Sequence, residues 1–234
     1  MRTFRDSKDM AKALRAALRE RGSEFSHSDC LEFVARQLGF DNWNVLSARI
    51  EDDNAVRTRT LYLPEGWVAS GTRPEFYEMG AYTAEGDSIA LIRSLPGAET
   101  AKAGIYGNLM QSFRADRFRG RKLRFTGELK TEDVRGSGTL WMRVDRSAGH
   151  TLCFDNMETR AREGSLKGNQ DWTRREIVLD VADDAESVHF GFYLAGTGCV
   201  WARDLEIGET TEQKSTAIYY PEQPSNLSFD RPAV

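Results

Sequence analysis

The chain has little cysteine, histidine and proline. Among 234 residues, Cys occurs only at 30, 153 and 199, an odd and scattered set. That excludes a disulfide framework and points to a reducing compartment. The three His (27, 150 and 189) and these Cys show no C-x-x-C and no H-x₃₋₅-H spacing, so no metal site is expected. Proline is absent before Pro64. No apolar run approaches the roughly 18 residues that cross a bilayer. The opening MRTFRDSKDM is too polar for a signal peptide, so a cytoplasmic location is expected. Positive charge is not in excess: 32 Lys and Arg against 36 Asp and Glu leave a net −4. A general polyanion-binding surface is therefore disfavoured, and DNA is not an expected partner. The Gly-rich stretches GSG (136–138) and AGTG (195–198) do not precede helical patterns, so they make no phosphate loop, and no cofactor is implied.

What is present divides into two textures. A chain of this length buries roughly 70% of its unfolded surface without a covalent staple. In residues 1–52, apolar residues recur at helical spacing: Met10, Leu14, Ala17, Leu18; then Leu31, Val34, Ala35, Leu38; then Trp43, Leu46, Ile50. Gly22 and Gly39 follow the first two runs, where a left-handed C-cap residue belongs. Ser26 or Ser28 suits the second N-cap, and Asp41 or Asn42 the third. The pattern predicts helices at about 5–21, 27–38 and 42–51.

Polar residues 53–57 read as a linker. Beyond them the period becomes two, most clearly in KLRFTGELK (122–130), TLWMRVD (139–145), TLCFDN (151–156), REIVLDV (175–181) and SVHFGFYLAG (187–196). LYLPEGW, SIALIRSL, NLMQSF and CVWARDLEI add four candidates. Turn signals stand between them, including RGSG at 135–138, KGNQD at 167–171 and AGTG at 195–198. The predicted architecture is mainly β with a small all-α N-terminal domain: a three-helix unit over 1–52 and an antiparallel jelly-roll-like sandwich over 58–210. Residues 211–234 read as an extended tail able to dock the aromatic pair Tyr219 and Tyr220.

Strand parity separates core from solvent. Leu140, Met142 and Val144 fall on one face, Trp141, Arg143 and Asp145 on the other; Val188, Phe190, Phe192 and Leu194 oppose His189, Gly191 and Tyr193. Leu123, Phe125 and Leu129 oppose Arg124, Thr126, Glu128 and Lys130, while parity around Gln111 and Asn156 stays ambiguous. The non-core faces thus offer Trp141, Arg143, His189, Tyr193, Arg124 and Glu128 as ligand-binding candidates. An aromatic face covers the C–H side of a polar ring such as a sugar, and planar hydrogen-bonding groups pair its hydroxyls. The same residues also suit an ordinary solvated sheet face. Catalytic signals are weak. Cys153 with His150 lacks an orienting third group, and Glu128 with Asp145 or Asp155 is a pairing any acid-rich chain offers.

Two stretches resemble known families. FRDSKDMAKALRAAL and FSHSDCLEFVARQLGFDNWNVLSARI resemble a small bacterial helical domain of the glyoxalase-related kind. That name implies no activity here, because paired βαβββ modules with His and Glu ligands are missing. GNLMQSFRADRFRGRKLRFTGELK, GTLWMRVD and VHFGFYLAGTGCVWARDLEI resemble a galactose-binding-like β-sandwich of the carbohydrate-binding-module type, as attached to bacterial helix-turn-helix regulators. The resemblance implies the fold but transfers no binding residues. The expectation is a non-catalytic ligand-binding or regulatory protein whose sandwich takes a small polar ligand or glycan. Its helical unit would make protein contacts or a homodimer. Two alternatives stand beside it: a transcription-linked regulator with DNA-contacting helices, and an enzyme of unrecognised class. Against DNA contact, residues 1–52 carry nine basic and nine acidic side chains.

Overall fold

A computed structural model describes residues 6–58, 60–84, 86–100, 104–212 and 215–217. The chain divides into two compact units, Met1–Thr60 and Leu61–Val234. No described helix is long and apolar enough to cross a membrane.

The first unit holds α1 (Ser7–Glu20), α2 (His27–Gln37) and α3 (Trp43–Thr58). Their stripes close on Ala11, Cys30, Val34, Ala35 and Leu46, with Met10, Leu14, Leu18, Leu31 and Leu38 packed around. Ser26 is the N-cap of α2. Its hydroxyl accepts from the Asp29 N–H at 3.0 Å while the Asp29 carboxylate accepts from the Ser26 N–H at 2.9 Å. This reciprocal box satisfies two amides that the helix start would otherwise leave open. Asn42 accepts from the Val45 N–H at 3.0 Å and starts α3. The expected break after residue 51 is absent: α3 continues to Thr58 through the polar segment read as a linker. Glu, Asp, Ala and Arg there are compatible with a helix, and polarity alone does not stop one.

Among the described residues, the second unit contains eight antiparallel strands: β1 (Val68–Gly71), β2 (Tyr77–Ala84), β3 (Asp87–Ser94), β4 (Tyr106–Arg114), β5 (Arg121–Ser147), β6 (His150–Asp155), β7 (Leu166–Val181) and β8 (Ser187–Thr210). The long strands β5 and β8 pair along nearly their whole length and belong to both layers. The first layer runs β1–β4–β8–β5–β6, using β8 before Gly196 and β5 after Gly136. The second runs β2–β3–β8–β5–β7, using the other halves. Strands that cross from sheet to sheet through a bend make the corners of such sandwiches. Here the bend is double, with Gly136 (φ 146°) directly opposite Gly196 (φ 77°) and a register shift between Glu132 and Arg135.

This corrects three sequence expectations. RGSG and AGTG are not turns between strands but matching bends inside β5 and β8. KGNQD lies within β7. LYLPEGW contributes a single bridge, Tyr62 to Ala81, whereas the overlooked segment Tyr77–Ala84 forms β2.

The core lies between the layers. Leu109, Leu140, Met142, Val144, Phe192 and Leu194 from the first layer meet Leu123, Phe125, Leu129, Ile177 and Leu179 from the second. Phe125 and Phe190 join them edge to face, 5.1 Å between ring centres. The parity assigned to Leu140, Met142 and Val144 and to Val188, Phe190, Phe192 and Leu194 holds, since all seven are buried. At β6 the ambiguity resolves: Asp155 pairs opposite Met142 and turns inward, while Phe154 pairs opposite Arg143 and turns outward. Ser215–Ala217 lies along β7, where Thr216 donates its N–H to the Val178 carbonyl at 2.7 Å and its hydroxyl accepts from the Val178 N–H at 3.0 Å. Tyr219 and Tyr220 lie outside the described residues.

Candidate functional site

The outer face of the first layer is read in rows. Tyr193 stands opposite Asn108 and Thr139; Gly191 opposite Met110 and Trp141; His189 opposite Ser112 and Arg143, with Phe154 beyond. The alternation that buries Leu140 and Phe192 therefore gathers Trp141, Arg143, His189 and Tyr193 on one surface. Arg124 and Glu128 are not among them. They project from the first half of β5, on the outer face of the other layer. There Arg124 pairs with Glu176 and Glu212, and Glu128 with Arg203, whose guanidinium lies 4.2 Å above the Trp172 ring. The six candidates split four and two because the bend at Gly136 carries β5 from one layer to the other.

Trp141 does not offer its ring to solvent and is only 7% exposed. Its indole N–H donates to the Asn108 side-chain oxygen at 2.7 Å, and Asn108 in turn donates to Ser70 at 3.0 Å. Trp141 is on β5 and Asn108 on β4, so the indole spans β8 at Gly191, the one position of that row without a side chain. The aromatic surface open to solvent comes instead from Tyr106, 36% exposed and 5.8 Å from the Tyr193 ring, and from Phe154, 40% exposed and 6.5 Å from Trp141.

Two polar groupings flank this aromatic band. In one, Asn156 donates to the Tyr193 hydroxyl at 3.0 Å, Thr139 donates to the Asn156 carbonyl at 2.7 Å, and Ser137 bonds Glu158. Burial, reinforced by the Glu158 carboxylate, pushes the Tyr193 phenol far above its usual range, so it stays a neutral hydroxyl. In the other, Asp145 is 3% exposed and its Oδ2 faces both Arg143 Nη2 (2.9 Å) and His189 Nε2 (3.3 Å). His189 also bonds Ser112 through Nδ1 (2.7 Å) and Ser187 through Nε2 (3.0 Å). Asp145 Oδ1 and Arg143 Nε are buried without a partner.

Burial, then the neighbouring Arg143, lowers the His189 pKa from 6.5, with Asp145 opposing. The folded state therefore holds a neutral imidazole more firmly than the unfolded chain does. Its contribution to stability is complete above pH 6.5 and is lost as pH falls from there toward the lowered folded value. Urea midpoints at pH 7.5 and 5.5 check this: the drop is expected to be smaller in His189→Asn than in the parent, and equal drops would refute it.

Sequence reasoning missed Tyr106, Asn108, Phe154, Asn156 and Glu158. Alternation along YGNLM carried the signal for the first two, but Phe154 needed the β5–β6 register. The other chemistries considered find no assembly. Cys153 donates to the Asp180 carbonyl at 3.1 Å, and burial pushes its thiol up to about 12, while His150 bonds Ser147 instead. Glu128 and Asp145 face away from each other on opposite layers. No cluster of His, Cys, Asp or Glu suited to a metal occurs among the described residues.

Residues 1–66 match the model of a family described as glyoxalase superfamily protein. The chain is 35% identical over 171 residues to the uncharacterized HTH-type transcriptional regulator YbfP of Bacillus subtilis (strain 168). That match covers 71% of this chain, so it must fall largely on the sandwich, and it spans 57% of the relative. Similar solved structures include the enzymatically active domain of tailspike protein 4 of bacteriophage CBA120, with 12% identity and TM-score 0.46 over 62% of this chain and 20% of that one. The CBM22-1–GH10 modules of Clostridium thermocellum endo-1,4-β-D-xylanase 10B give 11% identity and TM-score 0.42 over 67% of this chain and 27% of that one.

Proposed function

We propose that the sandwich is a non-catalytic sensing module. On this reading the outer face of its first layer takes a small polar, sugar-like ligand, and the helical unit carries the response through protein contacts. The observation behind it is exposed aromatic surface (Tyr106, Phe154) on the same outer face as hydrogen-bonding side chains: Tyr193, Asn156, Arg143 and His189. Tyr106 and Phe154, at opposite ends of the band, can each cover the C–H face of a ring. The groups between them accept and donate hydrogen bonds, as hydroxyls require. The unoxidised thiols of Cys30 and Cys153 support a reducing, cytoplasmic setting.

A screen of neutral mono- and oligosaccharides by thermal shift tests the reading. A ligand at 100 times its Kd is expected to stabilise the chain by about 2.7 kcal/mol. Tyr106→Ala and Phe154→Ala, both at exposed positions, are expected to weaken binding about tenfold each, or about 1.4 kcal/mol, with the unliganded melting point nearly unchanged. If no saccharide shifts the melting point, the reading fails.

The name of the Bacillus subtilis relative supports a second reading, a transcription-linked regulator. In it the sandwich senses the same kind of ligand and the helices contact DNA. Gel shifts at low salt test it, and no retardation of any duplex would remove it.

A further inference from the structure

The hydrogen bonds around Tyr193 run in one direction. Asn156 donates to the Tyr193 hydroxyl at 3.0 Å, and that hydroxyl donates to the Glu158 carboxylate. Ser137, 5% exposed, donates to the same carboxylate. The Glu158 N–H returns to the Asn156 side-chain oxygen at 3.2 Å, which holds the Glu158 backbone in place. The chain of donors therefore ends on Glu158. A carboxylate accepts and does not donate, with roughly four lone-pair sites on its two oxygens. Ser137 and Tyr193 take two of them. Glu158 itself is exposed, and no Lys or Arg pairs with it among the described residues. About two acceptor sites thus stay open to solvent, on an anion fixed from β5 and β8.

The register supplies space beside it. Ser137 stands opposite Ala195, and Ala195 opposite Tyr106, so one row across β5, β8 and β4 reads Ser, Ala, Tyr. Ala195 shares the outward parity of Tyr193. Two strand spacings of about 4.8 Å put roughly 10 Å between the Ser137 and Tyr106 backbones. In that row a single methyl group, from Ala195, stands between them. The Tyr106 ring beyond it is 36% exposed and lies 5.8 Å from the Tyr193 ring. A sugar-sized ring can lie over Ala195 against Tyr106 with its polar edge toward Glu158.

We propose that Glu158 sets the ligand class of this face: a neutral ring with two adjacent hydroxyls that donate to the Glu158 carboxylate while its C–H side lies on Tyr106. Hydrogen bonds to an ionised acceptor are the stronger kind, and here the acceptor is already held in place. A ring that carries a carboxylate at that edge offers no donor and sets two anions side by side, so acidic sugars are rejected. This rests on the outer face being a sugar-binding surface and adds which sugars it admits.

Titration calorimetry on the full chain tests it, with cellohexaose, mannohexaose and galactohexaose each set beside its uronate form, oxidised at C6. At least one neutral hexamer is expected to bind, at least tenfold tighter than its uronate. Raising salt is expected to narrow that gap, because screening weakens the repulsion between the two anions. Glu158→Gln keeps an acceptor for Ser137 and Tyr193 but replaces an open carboxylate oxygen with an amide donor. It is expected to weaken the neutral hexamer at least tenfold and to shrink the gap to about threefold or less, with no further effect of salt on it. The melting point of this variant is expected to be unchanged. Ala195→Leu fills the row while leaving Glu158 and Tyr106 in place, and is expected to weaken the neutral hexamer at least tenfold. Equal binding of a neutral hexamer by the parent and Glu158→Gln overturns the assignment and leaves the sugar-binding surface standing. So does a uronate that binds the parent as tightly as its neutral form. Binding of none of these hexamers overturns the assignment too, and the sugar-binding surface falls with it if the wider thermal-shift screen is also silent.

Discussion

Arg160→Ala is expected to destabilise the chain by about 3–5 kcal/mol, because it leaves a buried carboxylate without its counter-ion. Asp155 turns inward from β6 opposite Met142, and its side chain is 1% exposed. One of its oxygens bonds the Arg160 guanidinium, and the other accepts from the Met157 N–H at 2.7 Å. Arg160 also donates to the Glu176 carbonyl on β7 at 2.8 Å. One side chain thus ties the segment after β6 to both β6 and β7. For a chain of this size the loss corresponds to a fall in Tm of roughly 6–20 °C. Asp155→Asn is expected to cost less, since it keeps an acceptor for Met157 and removes the uncompensated charge. Urea unfolding of both variants checks the order. A loss below about 1 kcal/mol in Arg160→Ala would show that the pair is open to water.

Gly196→Ala is expected to cost about 3 kcal/mol or more, from backbone strain and forced overpacking together. At φ 77° an added Cβ lies 2.2 Å from the Arg135 carbonyl oxygen. Opposite, a Cβ at Gly136 lies 2.1 Å from the Ala195 carbonyl oxygen. Both collisions are with paired backbone, which cannot step aside without opening the bend. Gly196 is fixed from two further directions: its N–H donates to the Ile105 carbonyl at 3.0 Å, and its carbonyl accepts from the Tyr77 hydroxyl at 2.7 Å. Gly208→Ala is the matched control, with nothing within 4 Å of its Cβ, and is expected to fall within about 0.5 kcal/mol of the parent. Indistinguishable unfolding curves for the two variants would mean that the double bend tolerates a side chain and is not what joins the layers.

The bend also explains what the sequence left illegible in the site. Arg124 and Arg143 each alternate outward within their own segment of this strand, and that local reading groups them on one surface. Nothing local to RGSG distinguishes a turn from a fold in a continuing strand, because glycine permits both. Only the opposite strand, with Gly196 facing Gly136, decides that β5 continues. Trp141 shows the same limit. Its outward parity is readable, but its burial depends on Gly191 of β8 and Asn108 of β4, some thirty to fifty residues away in the chain.

By itself the sequence determined the change from helical to strand periodicity, narrowed the caps to Ser26 or Ser28 and to Asp41 or Asn42, and assigned the inward residues of the β5 and β8 segments. Each of these follows from side-chain spacing within a single element, where local sterics and hydrophobicity suffice. Tertiary structure alone decided that eight strands make two layers sharing β5 and β8, that Tyr106 and Phe154 rather than Trp141 meet solvent, and that Arg124 and Glu128 stand apart. Those outcomes are set by register and by which strands become neighbours. They arise from long-range pairing between segments whose local patterns are compatible with several partners.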